Sequence, residues 1–140
     1  MRRTRTVLAT LIAAAFVTWW AGVAWSVSVP GRVAAHDATL RAGCHRYHYH
    51  YVVTPGTGDW VLETWLHDPR GRERGYGYFL TGGDPTDDHP SFTVCRTDVV
   101  PGRFTIKARL QWYDAPLLPI LPPVEHDATL KPAHFRMARP

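Results

Sequence analysis

The sequence predicts an all-β domain, a sandwich of seven short strands that follows an apolar N-terminal helix. Apolar and aromatic residues alternate with polar ones over short runs, and this two-residue period is typical of strands with one buried face. Clusters of Gly, Pro and Asp separate the runs, and these residues favour turns. No run after residue 35 shows the longer period of an amphipathic helix.

The first 35 residues form a separate segment, which we interpret as a signal peptide or an N-terminal membrane anchor. Arginines precede an apolar run over residues 7–25, and positive charge ahead of such a run keeps the N-terminus in the cytoplasm. The nineteen apolar residues are many for a signal-peptide core and just enough to span a bilayer, so cleavage and retention both stay open. Small residues at 24–26 and at 33–35 offer cleavage sites. In either case we expect residues 36–140 to form an exported domain, extracellular or at the cell surface.

The exported part carries no net charge, which argues against nucleic acid as a partner. The whole chain has 16 Lys and Arg against 12 Asp and Glu, but four of the arginines lie within the first 35 residues. The remaining 12 basic residues balance the acidic ones and are scattered singly, without the stripe that phosphate binding requires. The exported part also has a single serine, Ser91, outside any nucleophile motif, which argues against acyl-transfer chemistry. No set of acid, base and nucleophile converges in the sequence, so we expect no enzymatic activity, and we expect no cofactor.

The strands follow in order from the alternation and from the turns between them. The turn sequences TPGTGD, DPRGRERG, GGDPTDDHP and DVVPG separate the second to sixth strands, because Pro and Gly set backbone angles that strands refuse. A proline-rich stretch separates the last two. The predicted strands are residues 33–40, 46–53, 60–66, 75–80, 91–95, 103–112 and 133–138.

The run PGRFTIKARLQW, residues 101–112, resembles strand F of fibronectin type III and related immunoglobulin-like domains. In that strand an aromatic residue at the start is followed by alternating apolar residues, and Trp60 with Leu62 would supply the same pattern for strand C. The chain also resembles small exported actinobacterial proteins of unassigned function. The resemblance implies a seven-stranded immunoglobulin-like sandwich over about residues 33–138, and it carries no functional residues across.

The exported part holds two cysteines, Cys44 and Cys95, and an oxidising compartment favours a disulfide between them over two free thiols. The usual immunoglobulin bridge between strands B and F does not fit, because Cys95 precedes the strand that resembles F. Within the immunoglobulin-like topology, a bridge from the start of strand B to the end of strand E fits instead. The two cysteines would then lie opposite each other on neighbouring antiparallel strands.

The stretch CHRYHYHYVV contains His48 and His50, two residues apart in the second strand. The tyrosines at odd positions form the apolar side of this strand, so both imidazoles point outward on one face. Two imidazoles so placed can hold Zn²⁺, but a stable site needs three or four ligands, and Arg46 lies on the same face. We therefore favour a solvated strand face and keep a weak metal site as the alternative.

The pentapeptide HDATL occurs twice, at residues 36–40 and at residues 126–130. The first strand and the approach to the last strand lie side by side at one edge of a sandwich, so the two copies could converge. His36 and His126, with the aspartates that follow them, would then form a metal site of imidazole and carboxylate ligands. The alternative is coincidence combined with similar chemistry at two sheet edges, and we favour it.

The proline-rich stretch over residues 114–127, DAPLLPILPPVEHD, is strongly apolar and is predicted not to form an ordinary strand. Its prolines cannot donate to a ladder, and their spacing of three suits a polyproline II helix. The aliphatic side chains either fold back as a lid over an open end of the sandwich, which we favour because their exposure costs solubility, or form a contact site for a partner or the membrane surface at the cell envelope. The residues assigned to that contact are Leu117, Leu118, Ile120 and Leu121.

Overall fold

The computed structural model describes residues 30–140, apart from Thr57 and Leu117, and this part of the chain is all β. The predicted apolar helix and export signal lie outside these residues. Among the residues described, no helix has the length and apolar character needed to cross a membrane. The ten strands are β1 (Gly31–Ala35), β2 (Ala38–Thr39), β3 (Cys44–Val53), β4 (Asp59–His67), β5 (Glu73–Leu80), β6 (Asp87–Asp88), β7 (Ser91–Cys95), β8 (Gly102–Asp114), β9 (Val124–Thr129) and β10 (Ala133–Ala138).

The strands form two sheets that face each other. In the first sheet β3 is central, with β1 on one side and β6 and β7 on the other, all antiparallel to it. In the second sheet the order is β2-β10-β8-β4-β5. Strand β10 pairs with the near half of β8, Gly102–Ile106, and β9 pairs with the far half, Arg109–Asp114. Every pair in this second sheet is antiparallel except β2 with β10. Six of the seven predicted strands are present as single strands, whereas the predicted first strand is divided into β1 of the first sheet and β2 of the second. Strands β6 and β9 are additional.

The first strand begins earlier than the sequence pattern indicates. Strand β1 starts at Gly31, and it pairs with β3 from Gly31 opposite Val53 to Ala35 opposite Tyr49. These five residues fall within the segment that we assigned to the leader. Cleavage at residues 33–35 would therefore divide a strand of the first sheet, whereas cleavage at residues 24–26 would leave it whole.

The core lies between the sheets and is built from the alternate residues of the long strands. Buried side chains from β3 and β4 meet the even-numbered residues of β8, including Phe104, Ile106 and Leu110. The buried hydroxyl groups of Tyr49 and Thr64 form a hydrogen bond of 2.8 Å across the core. Gly77 lies beside this pair, because a Cβ there would be 2.5 Å from Oγ1 of Thr64.

The prediction that residues 114–127 cannot form ordinary strand is wrong at both ends. Asp114 ends β8, and residues 124–127 belong to β9, which pairs with β8 from Val124 opposite Asp114 to Thr129 opposite Arg109. The prolines stop just before this ladder, at Pro123, so they do not interrupt it. The chain leaves the ladder after Leu130, passes Pro132, and pairs again with the near half of β8 as β10. The predicted last strand, residues 133–138, is present as β10, and β9 is an additional strand that precedes it.

Candidate functional site

The predicted disulfide is present and lies where the strand assignment placed it. Cys44 and Cys95 are bonded and directly opposite each other in the β3–β7 ladder, with their Cα atoms 3.9 Å apart. Cys44 is exposed and Cys95 half-buried, so the bond lies on the outer face of the first sheet. The same outer face carries His48 and His50 of β3.

The predicted orientation of β3 is confirmed, but the structure gives His50 different partners from the expected ones. Tyr49 and Tyr51 are buried, whereas His48 is exposed and His50 half-buried. Nε2 of His50 lies 2.6 Å from Oδ1 of Asp87. The ring of His50 also stacks on that of His89, with centroids 4.2 Å apart and planes 6° from parallel. His48 does not join the cluster through its side chain, because its Nδ1 faces the backbone carbonyl of His89.

The register of the first sheet explains why these three residues meet. The residue numbers of each pair that β3 forms with β6 or β7 add up to 139, both at the disulfide and at Val52 opposite Asp87. Continuing this register places His89 directly opposite His50, and Asp87 is then the diagonal neighbour of His50 on the same face. The assignment of residues 82–90 to a solvated turn did not place His89 and Asp87 beside His50. The disulfide pairing, once predicted, contained the signal that could have found them.

The cluster of His50, Asp87 and His89 offers ligand atoms that all lie within 4.8 Å of one another. Two imidazole nitrogens and a carboxylate oxygen are ligands that Zn²⁺ accepts. Both Asp87 and His89 are exposed, and only His50 is partly covered. The cluster can therefore be reached from solvent.

The structure does not bring the two HDATL copies together. Asp37, beside His36, accepts a hydrogen bond from the backbone N–H of Arg136, which pairs with Arg103 near the start of β8. His126 pairs with Trp112 near the other end of the same strand. Nine residues of extended strand separate these positions, or about 30 Å. The hypothesis of a shared metal site of His36 and His126 is therefore wrong, because the two copies lie at opposite ends of the second sheet.

His126 instead helps to fix the β8–β9 hairpin near its loop. Its ring stacks on Trp112, with centroids 5.1 Å apart, and its Nε2 lies 2.7 Å from Oδ2 of Asp114. Further from the loop, Arg109 of β8 forms an ion pair with Asp127 of β9. The side-chain hydrogen bond from Arg109 lowers the pKa of Asp127. These contacts hold the two strands in one register up to the loop that joins them.

The loop at the end of this hairpin exposes three of its aliphatic side chains, those of Leu118, Ile120 and Leu121. The exposed fraction is 55% for Leu118, 87% for Ile120 and 48% for Leu121. The lid hypothesis is therefore wrong for these three residues, and Leu117 lies outside the described residues. The backbone N–H of Leu121 donates to the carbonyl of Leu118 at 2.9 Å, so the tip is a four-residue turn with Pro119 in its second position. We call Leu118, Ile120 and Leu121 the apolar tip.

A second group of exposed apolar residues lies on β5, the edge strand of the second sheet in the described part of the chain. Tyr76, Tyr78 and Leu80 are 51%, 52% and 41% exposed. The hydroxyl of Tyr76 donates to Glu63 at 2.7 Å, so this side chain is anchored on the sheet. The β5 group has polar hydroxyls and lies flat on a sheet, whereas the apolar tip is entirely aliphatic and projects from a hairpin.

Comparisons with protein-family models, with curated proteins and with solved structures find no match to this chain.

Proposed function

We propose that this chain is an exported, non-catalytic β-sandwich module that binds a partner at the cell envelope through the apolar tip. The observation that carries the proposal is the exposure of three neighbouring aliphatic side chains, with Ile120 87% exposed. A contiguous apolar patch on a soluble surface is costly, and such patches mark contact sites. Loops that project from a rigid sandwich commonly carry binding residues.

The hairpin presents this tip in a fixed conformation. Six residue pairs join β8 to β9 directly below the loop, and the Trp112–His126 stack reinforces them. Four prolines, at positions 116, 119, 122 and 123, restrict the backbone of the loop itself. Because a restricted loop loses little entropy on binding, the tip is suited to recognition without further folding.

The charges around the tip indicate the chemistry of the partner. Tyr113 lies between Asp59 on one neighbouring strand and Glu125 on the other, and both acidic residues are exposed. No charged residue occurs from Ala115 to Val124. The tip therefore matches an apolar pocket with a basic rim. An anionic lipid surface would repel the acidic residues, so we favour a protein partner.

Export and the immunoglobulin-like assignment belong to the same proposal. An exposed disulfide is compatible with an oxidising environment outside the cytoplasm. The strand order supports an immunoglobulin-like assignment. In the first sheet, β1 takes the place of strand A, β3 that of strand B, and β6 together with β7 that of strand E. In the second sheet, β5, β4, β8 and β10 take the places of C′, C, F and G. The apolar tip then lies in the F–G connection, which in such sandwiches is grouped with binding loops at one end.

The test replaces Leu118, Ile120 and Leu121 by serine and measures binding to isolated cell envelopes by cosedimentation. Every described strand and the disulfide lie at residue 31 or later, so the experiment uses a chain that begins at Ser26 and lacks the apolar run. We expect the triple variant to bind at least about tenfold more weakly, which corresponds to the loss of about 1.4 kcal/mol. Vesicles of anionic lipid should bind neither protein.

The matched control replaces Tyr76, Tyr78 and Leu80 by serine, because these residues are also about half exposed. This control should keep its envelope binding. The unfolding free energy of the tip variant should change by less than about 1 kcal/mol, because exposed side chains contribute little to folding. A loss of several kcal/mol in the tip variant would show that these residues are core, and equal loss of binding in both variants would refute the tip as the site.

A further inference from the structure

We propose that His50, Asp87 and His89 form a binding site for Zn²⁺ on the outer face of the first sheet. The site is independent of the apolar tip, which lies on a hairpin of the other sheet. The first observation is proximity, since one ligand atom from each residue lies within 4.8 Å of the other two. The nearest pair, Nε2 of His50 and Oδ1 of Asp87, is 2.6 Å apart.

The second observation is that the backbone already holds the three residues in position. His50 lies within the continuous ladder of β3, flanked by β1 on one side and by β6 and β7 on the other. The backbone N–H of Tyr49 donates to the carbonyl of Pro90 at 3.0 Å, and the N–H of Val53 donates to that of Thr86. These bonds fix the segment that carries Asp87 and His89 against β3. Metal binding therefore needs only side-chain rotation.

Zinc binding requires the His89 ring to rotate out of its parallel stack on His50. The lone pair of each ring nitrogen lies in the ring plane, so two stacked rings cannot both point at one ion. In a tetrahedral zinc site with bonds of about 2.0 to 2.1 Å, ligand atoms are separated by roughly 3.3 Å. The exposed ring of His89 can close the remaining distance, because its side chain makes no hydrogen bond in the described structure. His50 would carry its proton on Nδ1 and present the free electron pair of Nε2 to the metal, so the neutral ring loses no proton overall.

The chemistry of the set selects a divalent transition ion. Two imidazoles and one carboxylate provide three protein ligands, and water completes the tetrahedron, as in zinc sites with an open position. Calcium and magnesium prefer sets made of oxygen alone. Arg46 lies on the same face, but it is four residues along β3 from His50, or about 13 Å. Its charge is therefore outside the range of direct contact with the ion.

The test measures Zn²⁺ binding by calorimetry and by thermal unfolding on the full-length chain, held in a mild non-ionic detergent. We expect one saturable site and a melting temperature that rises with Zn²⁺ concentration. His50→Ala, Asp87→Asn and His89→Ala should each weaken binding at least about tenfold, because removal of even a supporting residue costs 10- to 100-fold. Without zinc, the Asp87 and His89 variants should melt at the wild-type temperature, because both residues are exposed.

Two control variants separate this cluster from other histidines. His48→Ala changes a neighbour on the same strand, and His134→Ala changes a residue of the second sheet that bonds Thr105. Both should bind Zn²⁺ as the wild type does. In NMR spectra, the ring signals of His50 and His89 should shift with zinc while that of His134 stays in place. Absence of saturable binding would overturn the proposal, and so would loss of binding in His48→Ala with binding retained in His89→Ala.

Discussion

Removal of the Cys44–Cys95 disulfide is expected to lower the free energy of unfolding by about 4 kcal/mol. The bond closes a loop with a sequence separation of 51 residues. In the chain-entropy model a loop of this length restricts the unfolded chain by about 4 kcal/mol at 25 °C. Cys44 is exposed and Cys95 half-buried, so replacement of both by serine opens no cavity in the core. The whole effect should therefore come from the unfolded state.

The assay is urea unfolding of the double serine variant beside the wild type with and without reductant. A small domain has a total stability of about 5 to 15 kcal/mol, so the variant should remain folded but with a much lower midpoint. With a slope of about 1 to 3 kcal/mol per molar urea, the midpoint should fall by more than about 1 M. Reduced wild type should match the variant. A difference below about 1 kcal/mol would refute the argument that the bond restricts the unfolded chain.

Two further predictions concern the core and the β4–β5 turn. Gly77→Ala should destabilise the fold by about 1 to 3 kcal/mol, because the added Cβ would lie 2.5 Å from Oγ1 of Thr64 and 2.8 Å from the hydroxyl of Tyr49. Gly83→Ala, where no atom is closer than 4.0 Å, should be nearly neutral in the same urea assay, and an equal loss would contradict the steric argument. Asp68→Asn should cost about 2 kcal/mol at neutral pH. Burial raises the pKa of Asp68, but hydrogen bonds from Arg72, Arg74 and Arg70 outweigh it and lower the pKa below the ordinary value. The stabilisation is therefore present above about pH 4 and lost as pH falls through the folded pKa, so wild type and variant should converge in acid, and a pH-independent difference would refute the assignment.

The strands and the disulfide could be predicted because their signals are local. Alternation along β3 and β8 depends only on which residues face the core, and both strands have the predicted faces. The pairing of Cys44 with Cys95 required only an oxidising compartment and the antiparallel arrangement of two strands. The register of that pair also places His89 opposite His50, so the position of His89 follows from the disulfide alone.

Other features depend on contacts that no local pattern contains. Strand β9 reads VEHDAT, which is mostly polar, and it forms because β10 pairs only with Gly102–Ile106 and leaves the rest of that edge of β8 free to pair. His36 and His126 share a pentapeptide but occupy opposite ends of the second sheet, because sequence identity does not determine position in a ladder. The exposure of the apolar tip likewise depends on the length of the β8–β9 hairpin, which carries the loop away from the sandwich.

Position-specific photocrosslinking in living cells tests directly whether the apolar tip contacts an envelope protein. The full-length chain is produced in its source organism with a photoreactive phenylalanine analogue at position 120 or, as the control, at position 78. Ile120 is 87% and Tyr78 52% exposed, so both positions can reach a partner. We expect a discrete adduct with an envelope protein from position 120 and none from position 78. Equal adducts from both positions, or an adduct from position 78 alone, would contradict this expectation.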